Sequence, residues 1–297
     1  MALYRTFWLT NYLGQTYSLN SSKAFLYLPS GLGFTTSYEA TAMGNAEIVT
    51  AEQVNLSDVS GELLFNGKNN VEIYEEYSEF NQFIREKPIT LHYFPPNEDN
   101  SFSANIVITS LEKTEISSDD DLLHCPITFH MTSHWMSDTI TEIVVDARQL
   151  SGKDYPTDYP YAYGTVGLNN ITLINKGTED IGLEIEIEGA MENPYYAIYD
   201  SNGYMYGVGR WTVTCDYFYI NTTFENENVI IKQGDVTLTM PMNYQNMSFN
   251  DYIDSRQLER KLNFIDLRCG RSTMVVNFSN EFAGVVKVRF TPRYATV

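Results

Sequence analysis

Alternation of apolar and polar residues with a period of two dominates the chain, a pattern typical of half-buried β-strands. In the segment 122–135, for example, every second residue from Cys125 to Met131 is apolar or a thiol. The fold class is therefore predicted to be mostly β. The predicted strands span residues 6–8, 16–19, 24–28, 48–56, 61–65, 89–94, 104–111, 122–135, 170–175, 182–188, 196–199, 204–208, 211–221, 229–232, 236–240, 261–266, 272–279 and 285–292.

One segment has a different period. Between residues 70 and 86, Tyr74, Tyr77 and Phe80 lie at helical spacing, and glutamates fill the positions between them. An Asn at position 69 or 70 can cap the start, and Pro88 follows the end. This pattern predicts a single amphipathic α-helix at about 70–86, with its aromatic stripe packed into a core.

The segment 151–164 predicts a linker, because it contains two Pro, two Gly and four Tyr. It divides the sequence into an N-terminal β domain at 1–150, which carries the helix, and a second domain at 165–297. The short strands predicted in the second domain are typical of a β-sandwich.

The charge of the chain is strongly negative and unevenly distributed. The formal net charge is −19, from 19 basic and 38 acidic residues. Residues 1–150 hold 7 basic against 20 acidic groups, a balance of −13, whereas 256–297 hold 8 basic against 3 acidic groups. The acidity argues against nucleic acid and anionic membranes as binding partners. The basic segment is either a solvated surface or a surface that binds an acidic partner, including another copy of the chain.

The cysteines and the first residues bear on the compartment. Cys125, Cys215 and Cys269 are odd in number and form no CxxC motif, so neither a disulfide framework nor a zinc knuckle is predicted. Residues 1–15 lack the apolar core of a signal peptide, and no apolar run reaches the roughly 20 residues of a membrane helix. We expect synthesis in a cytoplasm and no membrane partner.

The search for catalytic chemistry favours a protein that is not an enzyme. His130 and His134 have a zinc-like spacing, but on a strand they lie about 13 Å apart, too far to share a metal ion. No GxSxG nucleophile motif and no phosphate-binding glycine loop is present. We therefore predict no catalytic residue, no metal and no cofactor, with a glycan-active enzyme as an open alternative.

One aromatic group suggests a binding site. Tyr204, Tyr206 and Trp211 lie close together in the second domain and are a candidate carbohydrate platform. The competing interpretation is that these rings are core residues of a strand.

The order of the elements resembles that of a known family. The segments that carry the resemblance are FWLTNYLG at 7–14, YSL at 17–19, PSGLG at 29–33, SGELLF at 60–65, YEEYSEFNQFI at 74–84, ITLHY at 89–93, LEKTE at 111–115, CPITFHMTSHW at 125–135 and YAIYDSNG at 196–203. In this order they are similar to the distal tail proteins (Dit, or baseplate hub adaptors) of long-tailed, non-contractile phages, over nearly the whole chain.

The resemblance implies a structural protein of the virion, located at the tail tip or baseplate and made in the cytoplasm of the host bacterium. It implies a homo-hexameric ring, or two rings back to back, in which the N-terminal β domain surrounds a channel for DNA. The C-terminal domain is expected to be a galectin-like or carbohydrate-module-like β-sandwich facing outward. The implied partners are the tail-tube protein, the tail-tip hub protein and, in some members, receptor-binding proteins.

Three further expectations concern what the protein binds. The galectin sugar site uses a His, and no His follows His134, so that site is not intact in 165–297. An alternative function is a carbohydrate-binding module that mediates attachment to the host cell wall. Because a basic channel would bind DNA phosphates, we also expect acidic residues of the N-terminal half to face the channel, so that DNA passes without specific binding.

Overall fold

The computed structural model describes residues 5–43, 46–96, 99–118, 120–147, 168–223, 228–241, 266–280 and 282–297. The predicted linker at 151–164 and nearly all of the predicted strand at 261–266 lie outside the described residues. In the described part the mostly β fold is confirmed. No helix in these ranges has the length and apolar character needed to cross a membrane.

The described elements are one helix and a succession of strands. They are β1 (Thr6–Asn11), β2 (Thr16–Ser18), β3 (Ala24–Ser30), β4 (Phe34–Met43), β5 (Ala46–Leu56), β6 (Val59–Phe65), α1 (Asn70–Phe83), β7 (Ile89–Phe94), β8 (Phe102–Leu111), β9 (Leu123–Met131), β10 (Trp135–Ser137), β11 (Thr141–Asp146), β12 (Leu168–Asn175), β13 (Glu184–Glu192), β14 (Tyr195–Tyr199), β15 (Met205–Arg210), β16 (Thr214–Asn221), β17 (Asn228–Gln233), β18 (Val236–Pro241), β19 (Gly270–Asn277), β20 (Val285–Phe290) and β21 (Arg293–Tyr294).

The chain divides into two compact units, and the second is inserted into the first. The first unit runs to Thr139 and resumes with Arg293–Val297, and the second is Ile140–Pro292. The division differs from the boundary predicted at residue 150 because β11 pairs with β20 of the second unit. It also returns the last five residues to the first unit, where β21 pairs with β10.

The first unit is built on one antiparallel sheet in the order β2-β1-β7-β8-β9-β6-β3, with β10 and β21 attached beside β8. The two strands predicted at 6–8 and 16–19 are confirmed as an antiparallel pair, in which Thr10 of β1 pairs with Thr16 of β2. Strand residues that alternate with exposed ones form the core together with residues of α1. The largest fully buried side chains of this core are Phe7, Phe65, Phe80, Phe129, Leu9, Leu19, Leu26, Leu63, Ile73, Ile89 and Leu91.

Helix α1 confirms the predicted helix and ends three residues earlier than expected. The side chain of Asn69 accepts a hydrogen bond from the backbone N–H of Glu72 at 3.0 Å, which is the expected N-cap. Phe80 is fully buried, and the neighbouring aromatic residues of the stripe pack against the same core. The stripe is therefore a packing surface.

The second unit has the two-layer arrangement of a β-sandwich. One sheet has six strands in the order β11-β20-β13-β16-β17-β18, and the other has four in the order β12-β19-β14-β15. Buried residues of both sheets, such as Ile187 of β13 and Met274 of β19, belong to one core. A tight turn joins β14 to β15, with Asp200 Oδ1 accepting hydrogen bonds from the backbone N–H groups of Asn202 and Tyr204.

Gly31 provides a test of the packing at the end of β3. Its φ is +85°, and an added Cβ would lie 1.9 Å from the carbonyl oxygen of Asp58. Gly14 also has a positive φ, +73°, but its Cβ would meet nothing within 4 Å. We expect Gly31→Ala to lower the free energy of unfolding by about 3 kcal/mol or more and Gly14→Ala by only about 1 kcal/mol. Chemical denaturation of both variants checks this. Equal losses of stability would show that the positive φ determines the cost and that the contact with Asp58 does not.

Candidate functional site

The most exposed element of the first unit is the hairpin formed by β4 and β5. The two strands pair antiparallel over their whole length, from Phe34 opposite Leu56 to Met43 opposite Ala46. They form a separate two-stranded sheet, and every residue of β4 is exposed. Two-stranded sheets are at best marginally stable alone in water, so an arm of this kind needs a partner to cover it.

The hairpin has one face richer in apolar residues. Register and strand alternation place them on the same side of the two strands, and we call this side the hairpin apolar face: Phe34, Tyr38, Ala40, Ala42, Val49, Val54 and Leu56. Thr36 and Glu47 share that side. The base of the opposite side is polar, with Thr35, Ser37, Glu39, Gln53 and Asn55. Phe34 is 49% exposed and Tyr38 is 64% exposed, so large aromatic surface faces solvent.

The root of the hairpin is held close to the sheet of the first unit. Gly31, just before β4, lies against the backbone of Asp58, just after β5, where no side chain would fit. The carboxylate of Asp58 lies 2.7 Å from Nδ1 of His130 in β9. Leu32 and Leu56, one on each leg, pack against the core of the unit. The arm therefore projects from a fixed base.

A second apolar surface lies on β3, the last strand in the order of the main sheet. Phe25, Tyr27 and Leu28 are 39%, 44% and 67% exposed, while Ala24 and Leu26 point into the core. We call these three side chains the β3 patch. Edge strands invite pairing with another chain, and contiguous exposed apolar residues mark interaction surfaces.

Helix α1 presents carboxylates to solvent and is fixed underneath by a buried one. Glu72, Glu75 and Glu79 are exposed and, at spacings of three and four, lie along one side of the helix. Glu76 is buried, and its carboxylate accepts a hydrogen bond from Tyr17 Oη at 2.8 Å and one from Lys23 Nζ at 2.9 Å. These bonds fix the rotation of the helix on the sheet and thereby the direction of the acidic stripe. The bond to Glu76 also raises the pKa of Lys23.

The histidines have carboxylate neighbours in this unit. The ring of His124 lies between Asp120, 2.8 Å from Nε2, and Glu62, 3.0 Å from Nδ1, and its hydrogen bond to Asp120 raises its pKa. His92 stacks on Trp8 with ring centroids 4.9 Å apart, and its burial lowers its pKa. Among the described residues, no three His, Cys, Asp or Glu side chains are grouped as metal ligands.

In the second unit, charged residues on the outer side of the six-stranded sheet neutralise one another. Glu186 lies 3.1 Å from Arg289 Nη1 and 3.5 Å from Lys287 Nζ, and Arg289 also bonds Glu142. Arg268 stacks over the ring of Tyr206 at 4.4 Å. Three of the eight basic residues in 256–297 thus have partners within their own unit.

The candidate carbohydrate platform contains three rings in different surroundings. Tyr204 is 73% exposed. Tyr206 is partly buried, and its hydroxyl lies 2.8 Å from Ser272 Oγ. Trp211 packs against the core between Tyr196 and Phe218, with ring centroids at 5.8 and 4.7 Å. The described geometry does not bring the three rings together on one exposed face, and sugar binding by these residues stays a prediction.

Replacement of Trp211 separates the two interpretations of this group. Because its indole packs on two core rings, we expect Trp211→Ala to lower the free energy of unfolding by about 3–5 kcal/mol. Tyr204→Ala is expected to change it by no more than about 0.5 kcal/mol. Thermal and denaturant unfolding of the two variants measure this difference. A fully stable Trp211→Ala protein that loses binding to cell-wall polysaccharide would instead support the platform.

The hairpin was absent from the sequence-based interpretation, which predicted β5 but not β4. Residues 34–43 contain only Phe34, Tyr38 and Met43 as large apolar residues, because most of this strand faces solvent in its own chain. The available signal was the β-favouring Thr-rich composition and the placement of Phe34 and Tyr38 four residues apart, which puts both on one side of a strand.

Comparison with known proteins finds a matching sequence profile for the first part of the chain. Residues 6–132 match the sequence profile described as "Distal tail protein, N-terminal domain". A search of curated protein sequences finds no significant match.

Solved structures with a similar fold come from phage baseplates. A chain of the phage P2 baseplate in its activated conformation with calcium is 17% identical, with a TM-score of 0.54 and 100% coverage of both chains. The same baseplate with strontium gives 17% identity, a TM-score of 0.53 and 99% coverage of each chain. The Dit protein of phage SPP1, described as a paradigm of the hub adsorption apparatus in phages that infect Gram-positive bacteria, is 10% identical, with a TM-score of 0.60 and coverage of 96% and 98%.

The profile match covers β1 to β9 and α1 of the first unit, and the structural similarity extends over both units. The resemblance predicted from the sequence is therefore confirmed: residues 6–132 belong to the distal tail protein N-terminal domain family, and the chain as a whole shares the fold of these phage proteins.

Proposed function

We propose that this protein is a structural component of the phage tail baseplate, where copies assemble into a hexameric ring joining the tail tube to the tail tip. The observation that carries the proposal is the β4–β5 hairpin, whose apolar face is exposed in the isolated chain. The family relationship of the first unit and the origin of the similar structures from phage baseplates support it. This role requires no catalytic residue and no cofactor.

A closed ring needs two different complementary surfaces on each subunit, because its contacts are heterologous. The hairpin apolar face and the β3 patch are two such surfaces on one unit, and both present exposed aromatic rings. In the proposed ring, the hairpin of one copy covers the β3 patch of the next. This contact buries both apolar surfaces in every copy and leaves neither of the two to recruit further chains.

The proposed ring has the partners expected of a tail hub. These are the tail-tube protein on one side, the tail-tip hub protein on the other, and receptor-binding proteins at the rim, with a second ring back to back as a variant of the same assembly. The protein would be made in the host bacterial cytoplasm and function in the virion.

The acidic stripe of α1 supports a channel through which DNA passes without binding. Three exposed carboxylates on one side of a rigid helix repel a polyanion, whereas lysines there would bind phosphates. In the proposed ring, Glu72, Glu75 and Glu79 face the axis. DNA is then a transient occupant of the ring and not a ligand.

A charge on the hairpin apolar face should prevent assembly. We expect Tyr38→Lys to weaken the contact between copies by about 2 kcal/mol or more per interface, because an aromatic residue central to an interface is replaced by a cation that must be desolvated. The matched control is Ser37→Lys, which places the same charge on the polar side of the same strand. Multi-angle light scattering across a dilution series measures both. Equal assembly of the two variants would contradict the proposed contact.

Reversing the acidic stripe should slow DNA passage. In virions that carry Glu72→Lys, Glu75→Lys and Glu79→Lys together, we expect genome release to be slow at low salt and to recover as salt rises, because phosphate binding by lysine is screened. The triple Gln variant should behave nearly as the unaltered protein. Time-resolved release of DNA from purified virions checks this. A rate unaffected by the lysines at every salt concentration would place the stripe away from the channel.

A further inference from the structure

We propose that residues 293–297 are a strap that fixes the root of the β4–β5 hairpin, and that folding of the second unit sets this strap in place. The inference deepens the proposed function, since it concerns what makes the hairpin competent to bind the next copy. It makes ring assembly dependent on residues that lie outside both the hairpin apolar face and the β3 patch.

The strap is anchored in the first unit by pairing and by an aromatic contact. Arg293 pairs with Met136, and Tyr294 pairs with Trp135, which is buried in the core of this unit. The ring of Tyr294 packs edge-on against Phe102, with centroids 5.2 Å apart. This anchoring fixes the path of the residues that follow.

The end of the strap is bonded to the first leg of the hairpin. The carbonyl oxygen of Leu32 accepts a hydrogen bond from Thr296 Oγ1 at 3.2 Å and one from the backbone N–H of Val297 at 3.3 Å. Leu32 lies two residues before β4 begins, and its side chain packs against the same core as Val297. The strap thus holds the point at which the arm leaves the sheet.

The second leg is held by Asp58, and the strap adds to the first leg a constraint beyond the approach of Gly31 to Asp58. Asp58 follows β5 and is fixed by its close approach to Gly31 and by His130. A hairpin whose two legs are both fixed keeps one direction relative to its own sheet. Because an ordered arm loses less conformational entropy when it binds, fixing the root strengthens the contact between copies.

The topology links the strap to the second unit. The chain leaves the first unit after Thr139 and returns at Arg293, so the strap closes a loop that contains the whole of Ile140–Pro292. Closing a flexible loop of that length is entropically costly. When the second unit is folded, Thr141 of β11 pairs with Phe290 of β20, which brings the two ends of the loop side by side. The folded insert therefore removes most of that cost.

Folding of the second unit therefore comes before efficient assembly of the ring. A chain whose second unit has not folded keeps a loosely held hairpin and joins a ring poorly. A chain with both units folded presents the hairpin in a fixed direction. Incomplete or misfolded copies are thereby kept out of the ring.

The first test removes the strap's two hydrogen bonds to Leu32 and keeps an apolar side chain at position 297. The double variant Thr296→Val, Val297→Pro loses both donors to Leu32, and Thr296→Ser retains the hydroxyl as the matched control. Hydrogen exchange is measured in a background carrying Tyr38→Lys, which keeps the chain monomeric if the proposed contact is correct. We expect exchange of the backbone amides of residues 33–43 to rise several-fold in the double variant, with unfolding temperature nearly unchanged and Thr296→Ser like the parent.

Assembly is then measured in the chain with Tyr38 intact, where we expect the double variant to need at least a several-fold higher concentration to form rings. Unchanged hairpin exchange in the double variant overturns the strap. Assembly that persists with Tyr38→Lys overturns the proposed contact instead, and the exchange measurement still reports on the strap. Faster hydrogen exchange in the hairpin without any loss of assembly would overturn the link between the strap and ring formation.

A second test addresses the role of the second unit. Phe218→Ala removes a fully buried ring from the core of that unit and should lower its stability, and Tyr204→Ala is the exposed control. In mild denaturant, we expect hairpin exchange in the Phe218→Ala protein to rise in step with unfolding of the second unit. Hairpin exchange that stays constant while the second unit unfolds would overturn the coupling.

Discussion

The assembly proposed for this protein depends on an apolar surface that its own fold leaves uncovered. The β4–β5 hairpin is long enough to carry a row of large apolar residues, yet among the described strands it forms a separate two-stranded sheet and exposes Phe34 and Tyr38. Its root is tightly determined: Gly31 lies against Asp58, and the strap at 293–297 bonds to Leu32. A rigid base with an uncovered apolar arm is well suited to a heterologous contact, because the arm binds with little loss of entropy and cannot fold back to cover itself.

The sequence was most informative where a residue's environment is set by its near neighbours. The Asn69 cap and the spacing of Tyr74, Tyr77 and Phe80 predicted α1, because a helix is specified by residues three and four apart. The pattern failed in two situations: where a strand faces solvent on both sides, and where the structure depends on distant pairing. Strand β4 faces solvent and therefore lacks strong alternation, and β11 belongs to the second unit only because it meets β20, more than a hundred residues later. The hairpin surface was missed for the first reason, and the inserted topology for the second.

The charge distribution also has a more specific meaning in the structure. The basic residues near the end of the sequence include Lys287 and Arg289, which pair with glutamates of their own sheet, and Arg268, which stacks on Tyr206. These three residues are therefore occupied within one unit and contribute little free positive surface. The carboxylates on the outer side of α1 are exposed, with Glu76 beneath them fixing the helix on the sheet. Part of the negative charge of the first half thus lies on an oriented surface, which suits the proposed channel because carboxylates do not retain DNA.

The central claim is that the hairpin of one copy covers the β3 patch of the next in a closed ring. Electron cryo-microscopy of the purified protein, alone and with its tail-tube neighbour, tests this most directly, because a map at side-chain resolution shows where each hairpin lies. We expect six copies around a central hole, with Phe34 and Tyr38 of each packed against Phe25 and Tyr27 of the adjacent copy. A ring whose subunits meet through other surfaces while the hairpins remain in solvent would contradict it.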